Sequence, residues 1–419
     1  MQMGGVGQGV VSATRTLPGV DSPYAWRLAI VSAFCIALGG GSIYLPVVGL
    51  KEIAADFGGH RTVPSLAYML GFFGMGVGGV FMGWLADRTS PRVPLLIAGG
   101  CVAVGGWLAT RQWTGGGGEL MLYAGYLLPL GLLGNAATFT PAMNNIQGWF
   151  DRKRSTAVAI ISVGPAFGGF IWPQVYRVLL PEIGWRDTLV AYGLLAGALL
   201  VLCALYVRPS PAWDSAGTAR PVENLARLPL PSPAVMGLLS AAGLCCCIAM
   251  AIPFVHMVAF CGDLGFAPAR GAEAVSLVLV TAVAATFAMG RLSDIIGPLR
   301  VSLLCAVVQI GSLVGFLFVT SLGGIYTLSV IHGIPYIAIV QGYALILRRL
   351  YGPGIAGWRL GVVMLFAMGG MALGGWMGGA IFDATLSYRS AFQAALAFNL
   401  LNLMLLSLLY AASRKRALA

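Results

Sequence analysis

Three histidines, His60, His256 and His332, are the side chains best suited to move a proton near neutral pH. They fall on separate segments, and the sequence holds no His/Cys/Asp cluster. The cysteines lie mostly inside apolar runs, with no metal-like spacing and no setting for a disulfide, and read as small packing residues. Gly115–Gly118 is a run of glycines that lacks the strand–loop–helix context of a phosphate cradle, and reads as a flexible turn. No catalytic set, cofactor site or metal site emerges, so an enzyme is not expected. What remains is a scatter of uncharged polar groups in apolar surroundings: Tyr44, Asn135, Thr138, Asn144, Asn145, Gln147, His256, His332, Tyr336 and Gln341. Such groups either hydrogen-bond a solute or bond one helix to another, and an interhelical bond in a membrane is worth only about 0.6 kcal/mol on average.

The segments that carry these groups are long and free of charge. Eleven runs of 17 or more residues contain no Asp, Glu, Lys or Arg: 28–50, 62–86, 93–110, 120–150, 155–176, 188–207, 228–262, 274–290, 301–347, 360–382 and 390–413. A lipid-spanning helix needs about 20 mostly apolar residues to cross roughly 30 Å of hydrocarbon. The run 301–347 holds two spans, broken by the turn residues Ser321-Leu322-Gly323-Gly324. Twelve membrane helices are therefore predicted. A barrel would alternate apolar and polar residues over about 10 positions, and these runs are apolar all round. Charged residues are 9% of the chain, against about 25% in soluble domains, which excludes a soluble multidomain protein.

The basic residues set an orientation. With the N-terminus inside, eighteen Lys and Arg fall in inner segments and seven in outer ones. This positive-inside bias predicts that both termini are cytoplasmic. It also accounts for the net charge of +11 without a nucleic-acid partner, because the charges are spread over many loops. Residues 1–23 are Gly-rich and polar, unlike a cleaved signal peptide, and are expected to be disordered. Residues 209–232 hold several prolines and read as a cytoplasmic linker between two bundles, 24–208 and 233–413, with a basic tail at 414–419. An internal repeat agrees: Gly83-Trp84-Leu85-Ala86-Asp87 recurs as Gly290-Arg291-Leu292-Ser293-Asp294, each followed by an arginine, Arg92 or Arg300.

Gly83-x-x-x-Asp87-Arg88-x-x-x-Arg92 resembles the loop motif between the second and third helices of the major facilitator superfamily, with Ser90 where that family usually has Gly. The likeness runs over nearly the whole chain. Within the superfamily, Asp21-Ser22-Pro23-Tyr24-Ala25-Trp26 is similar to the opening of the monocarboxylate and oxalate–formate transporter branch. Trp149-Phe150-Asp151-Arg152-Lys153-Arg154-Ser155-Thr156-Ala157 resembles that branch's entry to its fifth helix, and Phe382-Asp383 with Ser387-Tyr388-Arg389 and Phe392 its entry to the twelfth.

The resemblance implies an all-α membrane protein of twelve helices in two pseudo-symmetric six-helix bundles. It implies alternating access to a central site lined by the first, fourth, seventh and tenth helices. On those helices Tyr44, Asn135, Thr138, His256, His332, Tyr336 and Gln341 are the candidate substrate contacts, and Phe72, Phe73, Phe167 and Trp172 are candidate lining aromatics. Asp87 with Arg88 and Arg92, packed through Gly83 and repeated at Asp294 and Arg300, is the expected cytoplasmic latch. Glycine-rich faces on the second and eleventh helices are expected to let the halves rock. Where anion carriers of this branch hold a cation on the first helix and an arginine on the eighth, this chain has Tyr44 and Thr286. No carboxylate lies in the middle of any span, and a neutral solute or facilitated diffusion fits this charge-poor interior as well as an anion does. Gly164-Pro165-Ala166-Phe167-Gly168-Gly169 resembles the helix-5 motif of proton-linked drug exporters, in which Pro165 kinks the helix and the glycines meet the eighth helix. The leading expectation is a carrier of a small organic solute, most simply a carboxylate-bearing metabolite, with protons as an optional partner. An exporter of hydrophobic compounds is the alternative, and a transport-dead membrane sensor the third reading. Short loops and the lack of an Asn-x-Ser/Thr sequon point to a bacterial-type inner membrane, and a monomer is expected.

Overall fold

The computed structural model describes residues 19–111, 118–150, 153–211, 232–351 and 356–415. The expected disorder before residue 19, most of the linker, most of the Gly115–Gly118 run, Asp151-Arg152 and the end of the basic tail lie outside those residues. So do the side chains of Gln147 and Asp294.

Apolar backbone in lipid must satisfy its own N–H and C=O groups, and these runs do so as helices. They are α1 (Pro23–Val48), α2 (Thr62–Arg88), α3 (Arg92–Leu108), α4 (Gly118–Ile146), α5 and α6 within Ile160–Tyr206, α7 (Pro233–Asp263), α8 (Pro268–Ser293), α9 (Pro298–Phe316), α10 (Leu322–Leu347), α11 (Arg359–Thr385) and α12 (Tyr388–Ser413). Ten continuous helices are long and apolar enough to cross a membrane. The longest carries two crossings, divided at Gly184, whose φ of 73° and ψ of 169° suit glycine alone. α3 is a shorter apolar helix, and with it the described residues make the twelve expected crossings. A short helix, Leu50–Asp56, joins α1 to α2.

Local chemistry fixes the boundaries. Ser22 accepts a hydrogen bond from the Ala25 N–H, with Pro23 in the first turn of α1. Gly297, at φ 93°, turns the chain from α8 into Pro298 at the start of α9. α4 changes to a π-helix over Tyr126–Asn135, around Pro129, which cannot donate to the ladder.

The pairings repeat with an offset of six. α2 packs on α4 as α8 packs on α10; α3 packs on α4 as α9 packs on α10. Across the halves α2 meets α11 and α5 meets α8, contacts that exchange under the same pseudo-twofold relation. Three buried apolar clusters follow: one inside α1–α6, one at the junction of the halves, and one inside the second half.

Candidate functional site

At the junction of the halves, aromatic rings from both meet. Tyr44 on α1 stands edge-on to Phe254 on α7, with centroids 6.4 Å apart. Phe254 lies 5.2 Å from Tyr336 on α10, and Tyr336 lies 6.4 Å from His332. Tyr68 and Phe72, one turn apart on α2, pack at 4.8 Å. Tyr68 is a member of the buried cluster against which Tyr44, Phe72 and Tyr336 pack. The Tyr44 hydroxyl donates to the Pro165 carbonyl at 3.1 Å. Tyr68 is fully buried, and its hydroxyl has no hydrogen-bond partner among the described residues. A ring of aromatics around an unspent phenol donor is suited to a solute with one apolar face and one hydrogen-bonding head.

Three of the expected contacts, Tyr44, Tyr336 and His332, therefore come together. His332 is the deepest, with Nδ1 2.9 Å from the Ser312 hydroxyl and its ring beside Phe316. Gln341 sits further along α10, half-buried, outside this group.

His256 is placed differently from the expectation. Its Nε2 lies 2.9 Å from the Gly375 carbonyl, and its Nδ1 lies 3.1 Å from the Tyr388 hydroxyl. A carbonyl only accepts, so Nε2 carries the proton and Nδ1 accepts from Tyr388. Both nitrogens are spent on α11 and α12, which makes His256 a strut inside the second half. Asn135 and Thr138 likewise turn into the first half. Asn135 donates to Ser42 at 3.3 Å, and Thr138 packs on Gly39 and donates to the Asn135 carbonyl at 2.8 Å. There α1 loosens at Gly40, and aromatic donors take its carbonyls. Trp172 reaches Ala37 at 2.8 Å, Tyr192 reaches Leu38 at 2.8 Å, Tyr176 reaches Gly41 at 3.0 Å and Tyr126 reaches Ser42 at 3.2 Å. Trp172 thus braces α1, Phe73 and Phe167 are exposed, and Phe72 packs against the cluster at the junction.

One end of the molecule is clasped. The Arg61 guanidinium, before α2, forks onto Asp263 at 2.6 and 2.7 Å. Lys51 reaches the same carboxylate at 2.6 Å. Asp383 at the end of α11 accepts from the N–H groups of Arg61 and Thr62 at 3.0 and 2.8 Å, and from the Thr62 hydroxyl at 2.5 Å. Arg61 also lies 3.7 Å above the Phe382 ring. Burial alone would lower the Arg61 pKa, but its interactions with Asp263 and Tyr388 together outweigh burial and the net shift is upward. Nearby, Arg177 on α5 pairs with Glu273 on α8 at 2.9 Å, and Tyr326 and Arg270 hold the same carboxylate. Sequence reasoning did not single out this clasp. Its signal was a set of opposite charges sharing the outer loops, but the pairing is between residues up to 322 positions apart.

The other end is not clasped this way. Asp87 is exposed and has no ion pair among the described residues. The expected latch is not closed. Arg88 lies 4.5 Å over the Trp84 ring, and Arg92 donates to the Val207 carbonyl at the end of α6. Gly83 packs against Thr140 of α4, which is the close approach its size allows. Arg300 donates to the Tyr410 hydroxyl at 3.2 Å. The two branch-like motifs meet here, with Tyr24 5.0 Å from Trp149 and Trp26 4.7 Å from Phe150.

The helix-5 motif also packs differently. The helix breaks at Val163, just ahead of Pro165. Gly164 and Gly168 face Ala33 and Ala37 of α1, and only Gly169 meets Leu279 of α8. On α2, Gly74 and Gly78 face α4. On α11, Gly375 and Gly379 face Tyr68 and Ser65 of α2, so the glycine contact across the halves is carried mainly by α11.

Comparison with known proteins agrees with this architecture. Residues 30–288 match the family model of the Major Facilitator Superfamily. The chain belongs to that superfamily; it is a membrane transporter and not an enzyme. It is 27% identical to monocarboxylate transporter 13 of Rattus norvegicus over 392 residues, covering 91% of this chain and 87% of that one. It is 27% identical to the agnestins efflux protein of Paecilomyces divaricatus, covering 68% of this chain and 63% of the other. In structure it is similar to a bacterial homologue of the human lysosomal transporter Spinster, with a TM-score of 0.70 and 17% identity, covering 94% and 97% of the two chains.

Proposed function

We propose that this protein carries a small organic solute bearing a carboxylate across its membrane by alternating access. The supporting observation is the asymmetry of the two ends. The halves are tied by Arg61–Asp263, Lys51–Asp263 and Arg177–Glu273 at one end, while Asp87 has no ion pair among the described residues at the other. Between them lies an uncharged aromatic junction with a free phenol donor. The positive-inside bias makes the Asp87 end cytoplasmic, so the conformation is closed to the outside and reaches the cytoplasmic side. Lys51–Asp263 and Arg177–Glu273 are part-exposed pairs worth about 0–1 kcal/mol each, and the Arg61 fork is the more buried tie, so the clasp holds the end shut without locking it.

The likeness to a monocarboxylate transporter supports the carboxylate. A carboxylate at a site without a cation needs strong donors, and the unpartnered Tyr68 hydroxyl is the one the junction offers. A second reading, export of hydrophobic compounds, is favoured by the aromatic lining and by the likeness to an efflux protein.

Uptake into proteoliposomes tests both. The panel is lactate, pyruvate, benzoate and a hydrophobic dye, in wild type and in Tyr68→Phe. A hydrogen bond to a charged group is worth about 1.5–3 kcal/mol, so Tyr68→Phe should raise the KM for the transported carboxylate roughly tenfold or more. Transport of the dye alone would favour the second reading. Transport of no panel member would contradict both and leave the sensor reading.

A further inference from the structure

The three ion pairs that tie the halves together share one polarity. Every cation, Lys51, Arg61 and Arg177, belongs to the first half, and every acid, Asp263 and Glu273, to the second. Asp383, which caps the start of α2, is also an acid of the second half. Parting the halves at this end therefore separates the cations Lys51, Arg61 and Arg177 from the acids Asp263 and Glu273.

The members of this clasp are not equivalent. Arg61 has a side chain only 11% exposed, against 40% for Lys51. Its guanidinium presents two N–H groups in a fork, seated on the Phe382 ring, and the fork holds a carboxylate with both oxygens. Lys51, also of the first half, shares the Asp263 carboxylate at 2.6 Å, so Arg61 is one of two cations that Asp263 leaves when the end opens. Asp383 sits on the Thr62 N–H and hydroxyl of the first half rather than on the Arg61 guanidinium. When the end opens, both acids leave with the second half and Arg61 stays with the first.

We propose that Arg61 is the first receptor for the solute in the outward-open state. The solute's carboxylate takes the bidentate seat that Asp263 fills in the closed state, and hands it back as the clasp closes. The inference rests on the reading that the solute bears a carboxylate. It supplies the fixed cation that the middle of the spans lacks. It also makes Asp263 a competitor of the solute as well as a tie between the halves.

Competition has a signature that a purely mechanical clasp does not. Uptake of lactate, pyruvate and benzoate into proteoliposomes is measured for wild type, Arg61→Lys and Asp263→Asn, with thermal melting as the check on folding. Lysine keeps the charge and loses the fork, so Arg61→Lys should raise the KM for the transported carboxylate roughly tenfold. Asparagine keeps the shape and loses the negative charge, so Asp263→Asn should lower that KM by about threefold or more. Opposite movements support the proposal. If both variants shift KM in the same direction, or leave it where it was while only kcat changes, the clasp is mechanical and Arg61 is not a receptor. If one variant fails to fold, the direction of the other decides. If wild type carries none of the three carboxylates, the carboxylate reading falls and this inference falls with it.

Discussion

His256 shows how a residue with the right chemistry is spent on structure. A buried imidazole in a transporter invites a role in substrate or proton binding. Here its two nitrogens tie α7 to the Gly375 carbonyl and the Tyr388 hydroxyl. Its ring also fills the space beside Gly378, where an added Cβ would lie 2.4 Å from it. Removing it should therefore cost stability before it costs affinity. His256→Ala loses two interhelical bonds of about 0.6 kcal/mol each and opens a cavity. The melting temperature should drop by several degrees while the solute KM moves less than about twofold. A tenfold rise in KM with unchanged melting would return His256 to the substrate site. The sequence showed that the group was buried, since it lies within a charge-free run. It did not show which way the ring points, because its partners lie 119 and 132 residues away. The same limit applied to Asn135 and Thr138, whose partners on α1 became visible only with the loosened turn at Gly40. The Gly39-Gly40-Gly41 run was the available clue. Tyr44 and Tyr336 were singled out because they lie on the first and tenth helices, which the resemblance made candidates to line the site. Tyr68, with the same chemistry, lies on α2, outside the helices expected to line the site.

At the scale of elements, the spans were the most legible part of the molecule. Hydrocarbon thickness and backbone hydrogen bonding leave a long uncharged run no other structure. Breaks were legible where charges interrupt the runs, at the turn residues Ser321–Gly324 and at Pro165, whereas the turn at Gly184 was placed only by the structure. The direction of each glycine face was not legible, because a row of small residues does not say which neighbour it meets. The contact of α11 with α2 is where that matters most. A Cβ at Gly379 would lie 2.5 Å from the Ser65 hydroxyl and 2.8 Å from the Arg61 carbonyl. Backbone cannot yield as a side-chain tip can, so Gly379→Ala should push α11 away from the start of α2 and strain the Asp383 cap. Turnover should fall at least about fivefold, and the Asp263 end should become more accessible to thiol reagents at an introduced cysteine. Gly361→Ala, on the same helix with open space around it, is the control. Equal activity of the two variants would show that the α2–α11 contact does not govern the motion.

For the whole molecule, the repeat with an offset of six was readable from the two Gly-x-x-x-Asp motifs, and the fold follows from it. Which end is shut was not readable. It depends on ion pairs whose partners stand in different halves, and a sequence prints the charges without the pairing. The central claim is that the two ends open in turn about the aromatic junction. The claim requires only a small energy gap, since a solute that prefers one state by a few kcal/mol shifts the balance.

The most direct test is a pair of distances measured by spin-label resonance in lipid. One pair of labels replaces the exposed Glu182 and Ala267 near the Asp263 clasp, and the other replaces the exposed Thr89 and Ile295 at the Asp87 end. Asp263→Asn with Glu273→Gln is then introduced to weaken the clasp. The account predicts reciprocal movement, with the Glu182–Ala267 distance lengthening and the Thr89–Ile295 distance shortening in the same population. Distances that stay fixed, or that lengthen together at both ends, would contradict it.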